Sequence, residues 1–215
     1  MDERLNAIAE FIPINSRVAD IGTDHAYLAI ELINRGLAEY VIASDKNAGP
    51  LEAAKKNIRA AGLEDKIDVR IGDGLKPINV GEVNVICIAG MGGALICEIL
   101  SASPEVTKSV NKIILQPMNA VDKVREWVEK NNFCIEDEDL AEVDGIIYEI
   151  LCISNSGRPV ESTKKAKSPL LKKFIQNKID KLQRVINEMS KSAAAKETEK
   201  FLKLKAELDQ YRKRL

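Results

Sequence analysis

Short apolar runs alternate with amphipathic segments along most of the chain, and this alternation predicts successive strands and helices. The predicted strands are residues 17–21, 40–44, 67–71, 83–89 and 112–116. A period of 3.6 residues predicts helices at residues 26–34, 49–61, 94–101 and 120–131. Strands joined in sequence by helices form a mostly parallel sheet with right-handed crossovers. The pattern therefore predicts an α/β fold.

Further elements extend this repeat at both ends. Residues 3–12 predict a short amphipathic helix, with Arg4 on its polar side. Residues 133–137 and 146–154 predict a final strand pair, which an acidic loop would join into a hairpin. We expect this hairpin to insert an antiparallel strand into the sheet.

The pattern changes after residue 154, where two apolar series at heptad-like spacing begin. The series are Ile175, Ile179, Leu182, Ile186 and Met189, followed by Phe201, Leu204, Leu208, Tyr211 and Leu215. A turn at residues 190–192 would join them into an antiparallel, coiled-coil-like helical hairpin. We therefore predict two domains, residues 1–156 and 157–215. Because such heptads can also pair between chains, the expected monomeric state stays open.

The balance of basic and acidic residues also changes after residue 154. Residues 1–154 hold 15 Lys and Arg against 26 Asp and Glu, whereas residues 155–215 hold 17 against 7. An acidic body with a basic tail suggests a polyanionic partner such as RNA, although basic side chains also commonly cover exposed helices. The candidate phosphate-binding residues of the tail are Lys172, Lys173, Lys178, Lys181 and Arg184.

Cysteine and histidine usage argues against a metal site. The four cysteines show no C-x-x-C spacing, and the chain has a single histidine, His25. Neither a signal peptide nor an apolar run of membrane-spanning length is present. We therefore expect a cytoplasmic protein with reduced cysteines, no metal and no membrane contact.

Polar or glycine-rich residues lie at the carboxyl ends of four of the predicted strands. They are Asp20, Gly22 and Asp24 at the end of the first strand, Asp45, Lys46 and Asn47 at the second, Gly72, Asp73, Gly74 and Leu75 at the third, and Ala89, Gly90 and Met91 at the fourth. Open α/β sheets bind ligands at the carboxyl ends of their strands. These residues therefore predict one crevice, in which Asp45 binds ribose hydroxyls and Asp73 and Leu75 meet an adenine edge.

The first of these loops distinguishes between nucleotide cofactors. It lacks the second and third glycines of a dinucleotide fingerprint, and Asp24 would repel a pyrophosphate. S-adenosylmethionine fits better because it carries a sulfonium and an ammonium group and no phosphate. Asp20 or Asp24 would hold the ammonium, and an NAD-dependent enzyme is the least supported alternative.

Four motifs together resemble a known family. They are Asp-Ile-Gly-Thr-Asp-His-Ala-Tyr-Leu at residues 20–28, Gly-Asp-Gly-Leu at 72–75, Ile-Ala-Gly-Met-Gly-Gly at 88–93 and Leu-Gln-Pro at 115–117. The combination is similar to the bacterial tRNA adenine-22 N1-methyltransferases of the TrmK type, with departures at Thr23 and Met118. The resemblance implies a Rossmann-like class I methyltransferase with a seven-stranded sheet, S-adenosylmethionine as cofactor, and methyl transfer to N1 of a tRNA adenine.

Residue roles follow from these positions and from the resemblance. The expected cofactor-binding residues are Asp20, Gly22, Asp24, His25, Tyr27, Leu28, Asp45, Lys46, Asn47, Gly72, Asp73, Gly74, Leu75, Ala89 and Gly90. The expected catalytic residues are Asp24, His25, Gly90 and Met91, and Arg4 and Asn119 join the basic tail as RNA contacts. N1 has its own lone pair, so direct in-line attack needs mainly alignment, with Asp24 or His25 accepting a later proton from N6.

Two other functions remain open from the sequence. The chain fits a methyltransferase acting on a small molecule or a protein, although the basic tail favours RNA. It also fits a non-catalytic RNA-binding module that retains a cofactor pocket.

Overall fold

A computed structural model describes residues 3–155, 163–192 and 198–215. It divides into two compact units, Met1–Lys165 and Ala166–Leu215. The predicted boundary between residues 156 and 157 lies outside the described residues.

The first unit contains a single sheet with helices on both faces. Its strands are β1 (Ser16–Ile21), β2 (Ala38–Asp45), β3 (Ile67–Ile71), β4 (Val85–Gly92), β5 (Lys112–Asn119), β6 (Cys134–Val143) and β7 (Ile146–Ser154). Its helices are α1 (Glu3–Ala9), α2 (Tyr27–Asn34), α3 (Ala48–Ala61), α4 (Gly93–Ala102), α5 (Pro104–Ser109), α6 (Val121–Lys130) and, at the boundary of the unit, α7 (Lys164–Lys167).

The strand order is β3-β2-β1-β4-β5-β7-β6, and the first five strands run parallel. β7 pairs antiparallel with both β5 and β6, so the predicted terminal hairpin and its inserted antiparallel strand are confirmed. The chain order reverses between β1 and β4, which creates the crevice where open α/β sheets bind ligands. The predicted seven-stranded Rossmann-like sheet is therefore confirmed.

Two apolar layers cover the faces of the sheet. One combines residues of α1, α2 and α3 with Val18, Val41 and Cys87 of the strands. The other combines residues of α4 and α6 with Ile42, Ile86 and other strand residues that point the opposite way. Central strands are buried on both faces, as the nearly continuous apolar run at residues 85–88 indicates.

Several predicted boundaries were wrong, chiefly where polar or glycine-rich residues continue a strand. β4 and β5 remain paired beyond Ala89 as far as Gly92 and Asn119, because register shifts accommodate the glycines. β6 continues through the segment expected to be an acidic loop and ends at Val143, just before the turn at Asp144 and Gly145. Helix α1 ends at Ala9 rather than at residue 12, and the short helices α5 and α7 were not predicted.

The second unit contains α8 (Leu171–Met189) and α9 (Glu199–Lys213), which pack against each other as the predicted hairpin. Buried residues of the two predicted apolar series are Ile175, Ile179, Leu182, Ile186, Phe201 and Leu208. Leu215, the last of the second series, is exposed because α9 ends two residues before it.

Within the described ranges, no helix combines the length and the apolar character that crossing a membrane requires. Over the same residues, no group of three or more His, Cys, Asp and Glu side chains is arranged to hold a metal ion.

Candidate functional site

The carboxyl ends of β1, β2 and β4 border two cavities that share Gly22. The first encloses about 420 Å³ and the second about 80 Å³. The first is lined by Arg4, Leu5, Asp20, Gly22, Thr23, Asp24, His25, Tyr27, Leu28, Ala89, Gly90, Met118, Val143 and Tyr148. The second is lined by Ile21, Gly22, Asp45, Lys46, Asn47, Gly72, Asp73, Gly74, Met91, Leu95 and Ile99. Most of the predicted cofactor-binding residues therefore lie together, on either side of Gly22.

The loop after β1 has an unusual backbone. Gly22, Asp24 and Ala26 all have positive φ, at 75°, 51° and 60°. This conformation is uncommon for residues other than glycine and often occurs at functional sites. The amides of Gly22 and Thr23 donate to the Ser44 carbonyl at 2.8 and 3.0 Å, which ties the loop to the end of β2. The fold thus holds the loop firmly at the junction of the two cavities.

Asp20 is the buried acid at the base of the first cavity. Its carboxylate accepts a hydrogen bond from the Thr23 hydroxyl at 2.6 Å. Burial raises the pKa of Asp20 to about 6, and the bond from Thr23 opposes this shift only in part. A cationic ligand group would favour the charged carboxylate, so this site is suited to a ligand with positive charge.

Asp24, His25 and Tyr27 line the same cavity and are more exposed than Asp20. The Asp24 carboxylate lies 3.7 Å from Nε2 of His25, and the imidazole stacks on the Tyr27 ring with centroids 5.3 Å apart. The backbone carbonyl of His25 accepts a bond from the Asn57 side chain at 3.0 Å. A carboxylate, an imidazole and an exposed aromatic face therefore stand side by side at the cavity.

In the second cavity, the Asp45 carboxylate accepts a hydrogen bond from the backbone amide of Asn47 at 2.8 Å. Asp73 pairs with Lys76 at 2.7 Å, and this bond lowers the pKa of Asp73. A Cβ on Gly74 would approach the Ile99 side chain to 3.0 Å. Leu75, in contrast, is buried in the core and lines neither cavity, so its side chain is not placed to contact the adenine edge.

The glycine-rich end of β4 contributes to both cavities. Gly90 lines the first cavity, whereas Met91 lines the second and lies over Gly22. A Cβ on Gly22 would be only 2.2 Å from Cε of Met91. Gly90 and Met91, both predicted to be catalytic, thus line different cavities.

Several residues that line the first cavity were not among the predicted site residues. The β6–β7 hairpin reaches the first cavity through Val143 and Tyr148, and β5 reaches it through Met118. Leu5 and Thr23 also line this cavity. No local motif indicates Val143 or Tyr148, because their position depends on where the hairpin crosses the sheet edge.

The predicted RNA contacts occupy three places. Arg4 lines the first cavity. Asn119 is exposed beside Gly92, and a Cβ added to Gly92 would lie 3.3 Å from Oδ1 of Asn119. The basic candidates of α8 are exposed or partly exposed in the second unit, and they are Lys172, Lys173, Lys178, Lys181 and Arg184. Their roles in RNA binding remain predictions.

Residues 1–151 match the model of the family described as "Methyltransferase domain". The chain belongs to this methyltransferase-domain family. Its resemblance to tRNA adenine-22 N1-methyltransferases, predicted from the motifs, is confirmed by its similarity to individual members of that group.

Over 151 aligned residues, this chain is 42% identical to the tRNA (adenine(22)-N(1))-methyltransferase of Bacillus subtilis. That match covers 70% of this chain and 63% of the relative's length. The crystal structure of the B. subtilis M1A22 tRNA methyltransferase TrmK superimposes with a TM-score of 0.81 at 33% identity, covering 100% of this chain and 95% of that one.

A relative from another organism was solved with a ligand. The structure of M. capricolum TrmK in complex with S-adenosyl-homocysteine, its natural cofactor product, has a TM-score of 0.82 at 26% identity. The match covers 99% of this chain and 96% of that chain. The similarity thus extends well beyond the methyltransferase domain.

Proposed function

We propose that this chain is an S-adenosylmethionine-dependent methyltransferase that methylates N1 of adenine 22 in tRNA. The observation that carries the proposal is the pair of adjoining cavities, one bordered by Asp45 and Asp73 and the other by Asp20 and Asp24. The names of the B. subtilis and M. capricolum relatives supply the cofactor class and the tRNA position.

The two cavities fit the two ends of such a methyl donor. Asp45 is placed to accept bonds from a ribose diol in the smaller cavity. Asp20 and Asp24 supply negative charge for the ammonium in the larger cavity. Gly22, at the junction, lets the backbone approach the ligand closely. When bound, the donor supplies an electrophilic methyl group.

The larger cavity also has features suited to a purine base. Tyr27 is 57% exposed, and Tyr148 lines the same cavity, so aromatic faces are available for stacking. Gly90 lines this cavity with its backbone alone. Asp24 and His25 stand at the same cavity as proton acceptors.

Because N1 lies on the Watson–Crick edge, a paired adenine must leave its helix before it reacts. The second unit is suited to hold the rest of the RNA, since Ala166–Leu215 carries 14 Lys and Arg against 6 Asp and Glu. A protein that modifies tRNA is expected in the cytoplasm, and we infer that this chain acts there as a monomer.

Methyl transfer to unmodified tRNA transcripts tests the proposal. With labelled S-adenosylmethionine, the purified chain is expected to methylate a tRNA carrying adenine at position 22, and mass mapping is expected to place the methyl group on N1. A transcript with guanine at that position is the matched control and should gain no label. Methylation of both transcripts, or of neither, would contradict the proposal.

A further inference from the structure

A buried glutamine connects three elements beside the larger cavity. Gln116 of β5 is fully buried, and its Oε1 accepts bonds from Nη1 of Arg4 at 2.8 Å and from the amide of Gly90 at 3.0 Å. Its Nε2 donates to Sδ of Met118 at 3.7 Å. One side chain thus holds the guanidinium of α1 against the carboxyl end of β4.

This contact places Arg4 inside the cavity. A Cβ on Gly90 would lie 3.3 Å from Nη1 of Arg4, so the guanidinium lies almost against the Gly90 backbone. Among the residues that line the larger cavity in the described part of the chain, Arg4 is the one Lys or Arg. Asp20 and Asp24 line the same cavity.

This charge arrangement matches an α-amino acid group. Such a group carries an ammonium and a carboxylate at neutral pH. Asp20 and Asp24 attract the ammonium but would repel the carboxylate. A guanidinium with five donors in a planar fork is well suited to a carboxylate. RNA phosphates are more readily contacted by cations on an open surface, whereas Arg4 is partly buried and held by Gln116.

We propose that Arg4, oriented by Gln116, binds the carboxylate of the methyl donor's amino acid part. This inference rests on the proposed function, because it requires the donor to occupy the larger cavity. It assigns Arg4 to the donor instead of to RNA, and it makes Gln116 a positioning residue. The Gly90 amide is held by the same oxygen, so Gln116 also couples the donor site to the glycine-rich strand end.

The test compares S-adenosylmethionine with its decarboxylated analogue, which keeps the sulfonium and the ammonium and lacks only the carboxylate. Calorimetry on the full, unsubstituted chain (the parent) is expected to show that it binds the analogue at least about tenfold more weakly than it binds S-adenosylmethionine. Arg4→Gln is expected to weaken S-adenosylmethionine binding by a similar factor and to leave binding of the analogue within about twofold of the parent.

Two further variants complete the design. Gln116→Met removes the acceptor at similar size and is expected to shrink the affinity difference between the two ligands, a ratio that general loss of stability would not change selectively. Arg35→Gln is the matched control, because Arg35 pairs with Glu10 at 2.9 Å and lines neither cavity. It should bind both ligands as the parent does.

The outcomes separate this inference from the proposed function. If the parent binds neither ligand, the proposed function itself fails. If the parent binds both ligands equally, only the role of Arg4 is overturned. The role of Arg4 is also overturned if Arg4→Gln weakens the binding of both ligands equally. It is overturned likewise if this variant binds tRNA more weakly and binds the donor unchanged.

Discussion

At the scale of single residues, the site depends on acids in very different surroundings. Asp20 is buried, whereas the side chain of Asp24 is 71% exposed, although both line the same cavity. Burial favours the neutral form of a carboxyl group, so Asp20 is costly to keep charged until a cation approaches. Asp20 therefore links ligand binding to the stability of the protein.

We expect Asp20→Asn to be more stable than the parent at neutral pH. Because the folded protein raises the pKa of Asp20 from 3.8 to about 6, the folded state binds the proton more tightly, and stability falls as pH rises through this window. Removing the charge should recover up to about 3 kcal/mol at pH 7 and nothing below about pH 4. Urea unfolding across this pH range measures the difference.

The matched control for this prediction is Asp24→Asn. Asp24 is mostly exposed, so its replacement should leave the stability profile unchanged. An Asp20→Asn variant with the same pH dependence as the parent would contradict the assignment of a raised pKa. Calorimetry on the same variants is expected to show weaker donor binding for Asp20→Asn.

We also expect Asp45→Ala to weaken S-adenosylmethionine binding by about tenfold or more, because a charged partner of the ribose diol is lost. Titration calorimetry measures this directly. Asp73→Ala provides a comparison at the same cavity. Because Asp73 is already paired with Lys76, this variant should lose less affinity for S-adenosylmethionine than Asp45→Ala does. Parent-like affinity of Asp45→Ala would exclude the ribose assignment.

Prediction from the sequence worked well for residues whose place is determined by the end of a strand. Asp45 and Gly22 were placed correctly, because the carboxyl ends of parallel strands bring their loops to one edge of the sheet. The side chain of Leu75 packs into the core and lines neither cavity, which local sequence does not reveal, and its role in cofactor binding stays a prediction. Arg4 was recognised as polar, but its place in the cavity depends on Gln116, a residue 112 positions away.

At the scale of elements, Arg70 helps to hold the connection between β3 and β4. Arg70 of β3 donates from both terminal nitrogens to the Glu82 carboxylate, at 2.8 and 2.5 Å, and also contacts the Pro77 carbonyl. This segment includes Gly72 and Asp73, which border the smaller cavity. The bond to Arg70 lowers the pKa of Glu82 to about 2.

We therefore expect acid to weaken this connection. Since the folded protein lowers the pKa of Glu82, its contribution is present above pH 4.5 and is lost as pH falls towards 2. Glu82→Gln should destabilise the chain by about 1–2 kcal/mol at pH 7. Its stability difference from the parent should vanish in acid, and a constant difference across this range would count against the ion pair.

The acidic end of β6 shows where sequence patterns give the wrong element. The sequence predicts an acidic loop between residues 137 and 146, yet residues 138–143 pair with β7. Glu138 and Glu149 are neutralised by Arg125 of α6 and Lys165 of α7, and the Lys165–Glu149 distance is 2.6 Å. These partners come from distant parts of the chain, so no local window indicates that the charges lie in a strand.

At the scale of the whole molecule, the two units divide charge and chemistry. The cavities belong to Met1–Lys165, and the excess of positive charge belongs to Ala166–Leu215. The heptad-like series predicted the helical hairpin correctly, because burial of Ile175 and its periodic neighbours requires a partner helix.

A chain ending at Lys165 is expected to bind S-adenosylmethionine like the full protein and to bind tRNA at least about tenfold more weakly. In the full chain, changing Lys172, Lys173 and Lys181 to Gln should also weaken tRNA binding and reduce its salt dependence. The same changes at Lys200, Lys203 and Lys205 of α9 provide a charge-matched comparison. Unchanged tRNA affinity of the shortened chain would remove the hairpin from RNA recognition.

In our proposal, one crevice at the strand ends holds the methyl donor across Gly22. A crystal structure with S-adenosylmethionine bound would show directly where the donor lies. We expect the ribose at Asp45, the amino acid part in the cavity lined by Asp20 and Arg4, and the methyl group facing the space beside Gly90. Density for the donor at any other place on the molecule would contradict it.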